Sequence, residues 1–283
     1  MEDSASEKSR QDRLLTTQEG VYELLPWLGR QAFLLRFVGL ELIKCKGEME
    51  QVVGSLTFSA GLTLDTLEMI SRKVRVKDAW VVARCALETI TNAAFICVGG
   101  APTSDKMLRY YYQRKLRDRN REINVAGITA SIRAFPEIEP DDHPELKNYM
   151  DEFTSKKGRE IESWTSESMS QKIETICEKY KTREVSMFVV SHFLIYAQAS
   201  EALHGTLVGV LYALGHDPFS PEKERDREKI ERNWYAQITS IIIALTGCAR
   251  ALNHIIADEF DLTELEIGSR RFYEDERPLG ARK

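Results

Sequence analysis

No two cysteines in this 283-residue chain are spaced as Cys-x-x-Cys, and the five present, at 45, 85, 97, 177 and 248, are odd in number and scattered. That excludes a disulfide framework or a zinc-finger spacing and predicts reduced thiols, mostly in apolar surroundings. Missing as well is an apolar stretch behind a basic N-terminus. MEDSASEKSRQDR is polar and charged throughout, so no secretory leader is expected and the expected location is the cytoplasm. The longest strongly apolar run, Ile238 to Ala249, stops at Arg250. That falls short of the about 20 residues a membrane helix needs, so no membrane partner is expected. The sequence has no Walker phosphate loop, no Gly-x-Gly-x-x-Gly, no Gly-x-Ser-x-Gly elbow, no fixed-period repeat and no low-complexity tract. The formal charge of −5 is too small and of the wrong sign for bulk attraction to nucleic acid, although a local basic face is compatible with it.

What the chain has is helical punctuation. Apolar periodicity predicts helices over 17–46, with Pro26 as a candidate break, then 49–73, 77–98, 104–127, 144–158, 168–181, 184–214 and 226–258. Gly99-Gly100-Ala101-Pro102 should end the third of these. Gly215-His216-Asp217-Pro218 should end the helix over 184–214, because glycine tolerates the left-handed cap and proline cannot continue a helix. No segment alternates as a strand. The fold class expected is all-α: a multi-helix bundle with long antiparallel central helices in one domain over 16–258. A mobile polar arm, 1–15, and a charged tail, 259–283, should flank it.

Two of these helices carry polar residues along otherwise apolar faces. Between Trp80 and Val98 the charged residues are Arg84 and Glu88, with Asn92 one turn further on; the helix over 184–214 carries His192, Tyr196, Ser200 and His204. Steps of four residues drift by only about 40° per step, so each line stays on one side of its helix. A buried guanidinium and carboxylate need partners, and the spacing predicts that the two lines face each other around a polar pocket. Catalytically, His204 could act as general base or acid with Glu88 orienting it, Arg84 could hold an anion, Asn92 and Tyr196 could bind substrate, and Ser200 could orient His204. The same residues equally describe a satisfied hydrogen-bond network that fixes helix register. Glu201-Ala-Leu-His204 is a Glu-x-x-His of the type that binds metal in carboxylate bundles. With Glu88 it forms an alternative mononuclear set, although the usual second copy is absent and no cofactor is expected.

Arg84-Cys-Ala-Leu-Glu88 followed far downstream by Tyr196-Ala-Gln-Ala-Ser200-Glu-Ala-Leu-His204-Gly205 resembles a family of bacterial all-helical proteins of unknown function, over roughly residues 30 to 215. The resemblance implies a site at these residues without naming a reaction. A broader likeness is to the HEPN ribonuclease bundles, marked by Arg, four to six residues, then His. The nearest counterpart, Arg250-Ala-Leu-Asn-His254, has three intervening residues and departs from that pattern.

One segment favours a polyanion. DKMLRYYYQRKLRDRNR, 105–121, holds seven Lys/Arg against two Asp with three tyrosines interleaved, and Arg109, Tyr111, Arg114 and Arg117 are candidate substrate-binding residues for RNA. The competing reading is an amphipathic helix whose tyrosines pack inward and whose arginines pair with the acidic part of the tail. Three functions follow as expectations: an effector-type protein acting on an anionic substrate such as an RNA phosphodiester without a metal, a non-catalytic interaction module that forms homo-oligomers, and a metal-binding bundle.

Overall fold

The computed structural model describes residues 10, 12–118, 121–132, 145–215 and 226–262. Most of the expected arm, the loop holding Pro136, Pro140 and Pro144, the connector 216–225 and the tail beyond Leu262 lie outside the described residues. The chain divides into two compact units, one formed by 1–98 with 169–283 and the other by 99–168.

Helix α1 (Gln18–Ile43) starts where the Thr17 side chain accepts a hydrogen bond from the Gly20 N–H, and it runs unbroken through Pro26 on its exposed face. Leu25, Leu28, Ala32, Leu35 and Leu42 recur at helical spacing and form its buried stripe. Helix α2 (Glu48–Arg72) returns alongside it. The two backbones approach closely at Gly39 and Gly54: a Cβ at Gly39 would sit 2.5 Å from Phe58 N. Any larger residue there would force the pair apart.

Helix α3 (Val76–Asp118) is two helical stretches joined at Gly100, whose φ of 65° and ψ of −160° interrupt the hydrogen-bond ladder where the glycine–proline signal predicts a break. The first stretch and helix α9 (Arg227–Glu259) are the most buried of the larger unit. Each contains an 18-residue window long and apolar enough to cross a bilayer by composition. For α9, 72% of that window is buried inside the fold, as in a core helix. Asp226 caps α9, accepting from the Glu228 N–H at 3.0 Å. α9 is tied to α1 by a buried hydrogen bond from Asn253 Nδ2 to Gln31 Oε1.

The smaller unit holds the main departure from the sequence reading. The helix expected over 104–127 stops at Asp118. A hairpin follows, β1 (Arg121–Val125) pairing antiparallel with β2 (Ile128–Ile132) in the register Val125↔Ile128 and Ile123↔Ala130. Ala126 and Gly127 both have positive φ, 51° and 81°, the conformation that matches strand twist in a two-residue hairpin turn. Helix α4 (Glu145–Glu152) is shorter than the expected 144–158, because the chain turns back at Phe153 and forms an isolated bridge between Thr154 and Glu160.

Back in the larger unit, α5 (Met169–Lys179) precedes a region that is not the single helix expected over 184–214. It consists of α6 (Met187–Ser191), one π-turn (His192–Tyr196), α7 (Ala197–His204) and α8 (Leu207–Leu214). Gly205, with φ of 63°, ends α7 in the left-handed cap conformation. Thr206 then caps α8 by accepting from the Gly209 N–H at 3.1 Å. Gly209 is there for space: a Cβ would lie 2.4 Å from the Glu201 carbonyl.

Candidate functional site

The centre of the seam forms. Arg84 Nε donates to Glu88 Oε1 at 2.8 Å, Arg84 Nη2 donates to the Tyr196 hydroxyl at 3.3 Å, and the guanidinium carbon sits 4.5 Å from the Tyr196 ring centroid. Helix α3 and the π-turn are therefore joined by one hydrogen bond and one cation–π contact, with the Arg84–Glu88 ion pair inside α3 orienting the guanidinium. The Arg84 side chain is 17% exposed and that of Glu88 40%, so the pair is partly wet. Burial opposes the charge on Arg84, but the hydrogen bond and charge of Glu88 outweigh it and hold the guanidinium pKa above its ordinary value. Its remaining nitrogen, Nη1, is buried with no partner.

The rest of the predicted constellation separates. Asn92 Oδ1 accepts from Lys172 Nζ at 2.8 Å, which turns it toward α5. His204, in the last turn of α7, is exposed; it makes no hydrogen bond or ion pair with Glu88, and Ser200 does not connect them. The expected Glu88–His204 pair is therefore not assembled. The alternative metal set does not converge either: the Glu201 carboxylate accepts the Thr206 hydroxyl, and no group of three His, Cys, Asp or Glu among the described residues could hold an ion. Arg250 pairs loosely with Glu184 at 3.6 Å, while His254 lies edge-on to Tyr180.

The described arginines of the basic segment, Arg109, Arg114, Arg117 and Arg121, have partners within the smaller unit. Arg109 makes two hydrogen bonds to Glu152, at 2.7 and 3.1 Å; Arg114 pairs with Glu160; Arg117 reaches Gln113, Thr154 and two backbone carbonyls. Arg121 joins Glu160 at 3.1 Å. Among the described residues the partners of Arg109, Arg114 and Arg121 are the carboxylates of 118, 152 and 160, and most of the tail lies outside the described residues. Among the aromatics, Tyr111 is exposed with Lys115 4.6 Å from its ring centroid, whereas Tyr110 packs on Phe153.

Sequence reasoning missed the cavity beside the seam. A space of about 970 Å³ opens between the first stretch of α3, the π-turn, α8 and α9. Trp80 and Tyr212, ring centroids 5.9 Å apart, form one wall. Gln237 fixes that wall, accepting from Trp80 Nε1 at 2.8 Å and donating to the Tyr212 carbonyl at 2.9 Å. His192 stacks on Tyr196 at 5.0 Å on the opposite side, and burial lowers its pKa, favouring the neutral ring. The Gln198 side-chain oxygen, also in the lining, is buried without a partner. At the rim Phe193 is 78% exposed and Val208 66%. The signal available in the sequence was Gln237 at the head of an apolar run, a polar residue that needs a buried partner.

A model of a family of unknown function, DUF5677, matches residues 50–221, more than half of the chain and including Arg84, Glu88, Tyr196 and His204. No curated protein and no solved structure matches.

Proposed function

The chain belongs to DUF5677, a family with no assigned activity, and from that premise we propose that it is a non-catalytic interaction module that works as a homo-oligomer through the face around Phe193. The carrying observation is a knob beside a hole: Phe193 projects 78% exposed from the rim of the about 970 Å³ cavity that Trp80, Val208 and Tyr212 line. A two-fold pairing uses the same patch on both copies, so a surface bearing both knob and hole is self-complementary. Val208, 66% exposed in the same lining, adds apolar surface beside Phe193. Contiguous exposed apolar groups of this kind mark interaction sites. In this reading Arg84, Glu88 and Tyr196 form a clamp that holds the π-turn, and with it Phe193, against α3.

Sedimentation velocity from about 1 to 100 µM tests it. The wild type should be dimeric or larger at the upper end. Phe193→Asp and Val208→Asp should sediment as monomers with unchanged helical circular dichroism. A wild type that stays monomeric across the range overturns the proposal.

The enzymatic reading keeps one supporting observation: His192, stacked on Tyr196 with its pKa lowered by burial, lines the cavity, where a general base for an anionic substrate such as RNA would sit. It predicts that His192→Ala and Glu88→Gln abolish cellular function without loss of assembly. Function retained in both variants removes it.

A further inference from the structure

Among the described residues lining the cavity beside the seam, His192 is the one whose charge changes near neutral pH. It begins the π-turn, immediately before Phe193, so the titrating ring and the exposed knob leave the same turn of chain. The imidazole stacks on Tyr196 with centroids 5.0 Å apart and 29° between the planes. The Arg84 guanidinium carbon stands 4.5 Å from that same Tyr196 centroid, and Glu88 pairs with Arg84 on α3. From the other elements around the cavity, α8 contributes the Tyr212 phenol and α9 the uncharged Asn233, Gln237 and Ser240. Among the described residues the lining is thus an imidazole, neutral polar groups and apolar surface, with the Arg84 cation behind Tyr196. Burial opposes a charge on His192 in the single chain already.

We propose that protonation of His192 separates the paired copies, so that assembly holds at neutral pH and is released in acid; the inference rests on the pairing through Phe193. In that pairing Phe193 of the partner subunit enters the cavity and displaces water from beside the imidazole. A neutral ring loses little by this. An imidazolium loses hydration to an apolar ring, and it sets a second cation against the Tyr196 ring that already faces Arg84. The assembled state therefore holds His192 protons less tightly than the separate chains, and pairing expels any that are bound. Two-fold symmetry places two such imidazoles in one interface. Assembly is accordingly undiminished above the ordinary imidazole value of about 6.5 and weakens as pH falls below it. The dissociation constant rises by up to about 100-fold per pH unit where both rings titrate.

Sedimentation equilibrium of the full chain, from about pH 7.5 down to about pH 5 with circular dichroism confirming the fold at each step, tests the proposal. The wild-type dissociation constant should rise by at least about tenfold over that range. His192→Gln and His192→Phe cannot take up the proton; both should assemble at neutral pH and lose the rise, and the phenylalanine keeps a ring on Tyr196 should the glutamine loosen the turn. His204→Gln, at the exposed end of α7, should retain the full rise. A wild-type dimer whose dissociation constant does not change with pH, or a rise of equal size in both His192 variants, overturns the switch and leaves the pairing standing. A wild type that stays monomeric at neutral pH removes the pairing and the switch together.

Discussion

Neutralising Glu88 should cost more stability than removing the whole ion pair. In Glu88→Gln the Arg84 guanidinium, 17% exposed and already carrying one unpartnered nitrogen, keeps its charge and loses its closest anion. A fully buried pair broken on one side costs about 3–5 kcal/mol, and a fully exposed one about 0.2–1. With Glu88 40% exposed, the clamp stands between these limits, and about 1.5–2 kcal/mol is expected after discounting for solvent screening. Arg84→Met removes the charge and leaves Glu88 able to turn toward water. Its cost is mainly the contact with Tyr196, about 0.5–1 kcal/mol on the scale of exposed cation–π pairs. The double variant Arg84→Met/Glu88→Gln should resemble Arg84→Met alone and be more stable than Glu88→Gln by about 1 kcal/mol. Urea unfolding at pH 7, followed by circular dichroism, would show this order in the midpoints at constant slope. Additive single and double variants, or a Glu88→Gln midpoint equal to that of the wild type, would refute the clamp.

Two further outcomes follow from the same accounting. His192 has a folded pKa below its ordinary value because of burial, so the unfolded chain binds the extra proton more readily. Its contribution should be complete above about pH 6.5 and lost as pH falls toward the folded pKa; His192→Gln should flatten that part of a Tm-against-pH curve. Glu160, 18% exposed, pairs with Arg114 and Arg121 and lies 4.0 Å from Arg117. Glu160→Gln leaves Arg114 and Arg121 with Asp118 to share and should raise hydrogen exchange across the described part of 99–168 by an amount equivalent to about 1–2 kcal/mol. Protection unchanged from wild type would show the cluster to be solvated and weak.

Helix type and most boundaries were legible because the signals were local. Pro102 and the glycines before it marked the kink at Gly100, and α9 runs over 227–259 where periodicity predicts 226–258. The hairpin was not read because its charged approach, through Arg117 and Arg121, continues the helical pattern. Ala126 occupies a left-handed position that alanine seldom takes, so the turn signal was half-hidden. The two positions Arg84 and Tyr196 were found together because a guanidinium in an apolar helix demands a partner on another element. His204 sits on the same regular stretch as Tyr196 but two steps of four further along, about 80° round the helix, which turns it to the surface. Gly205 ends α7 in the left-handed conformation, and the close backbone approach falls at Gly209. The cavity depends on how four separate segments meet, which no spacing within one segment encodes.

The π-turn bears on how the chain tolerates insertion and deletion. Ser191, fully buried, donates to the Ala244 carbonyl at 2.9 Å, and Tyr196, five residues later, meets Arg84. In a regular α-helix residues five apart point about 140° away from each other, whereas a turn closed between residues five apart brings them nearly into line. The wide turn is equivalent to one extra residue held in the helix without a loop. Deleting Leu194 would restore ordinary winding, so that Ser191 and Tyr196 could no longer both keep their partners. A second residue inserted at the same place would have no comparable way of being absorbed. Length variation among related chains should therefore be rare between 191 and 196 and freer beyond Gly205, where the helix has already ended.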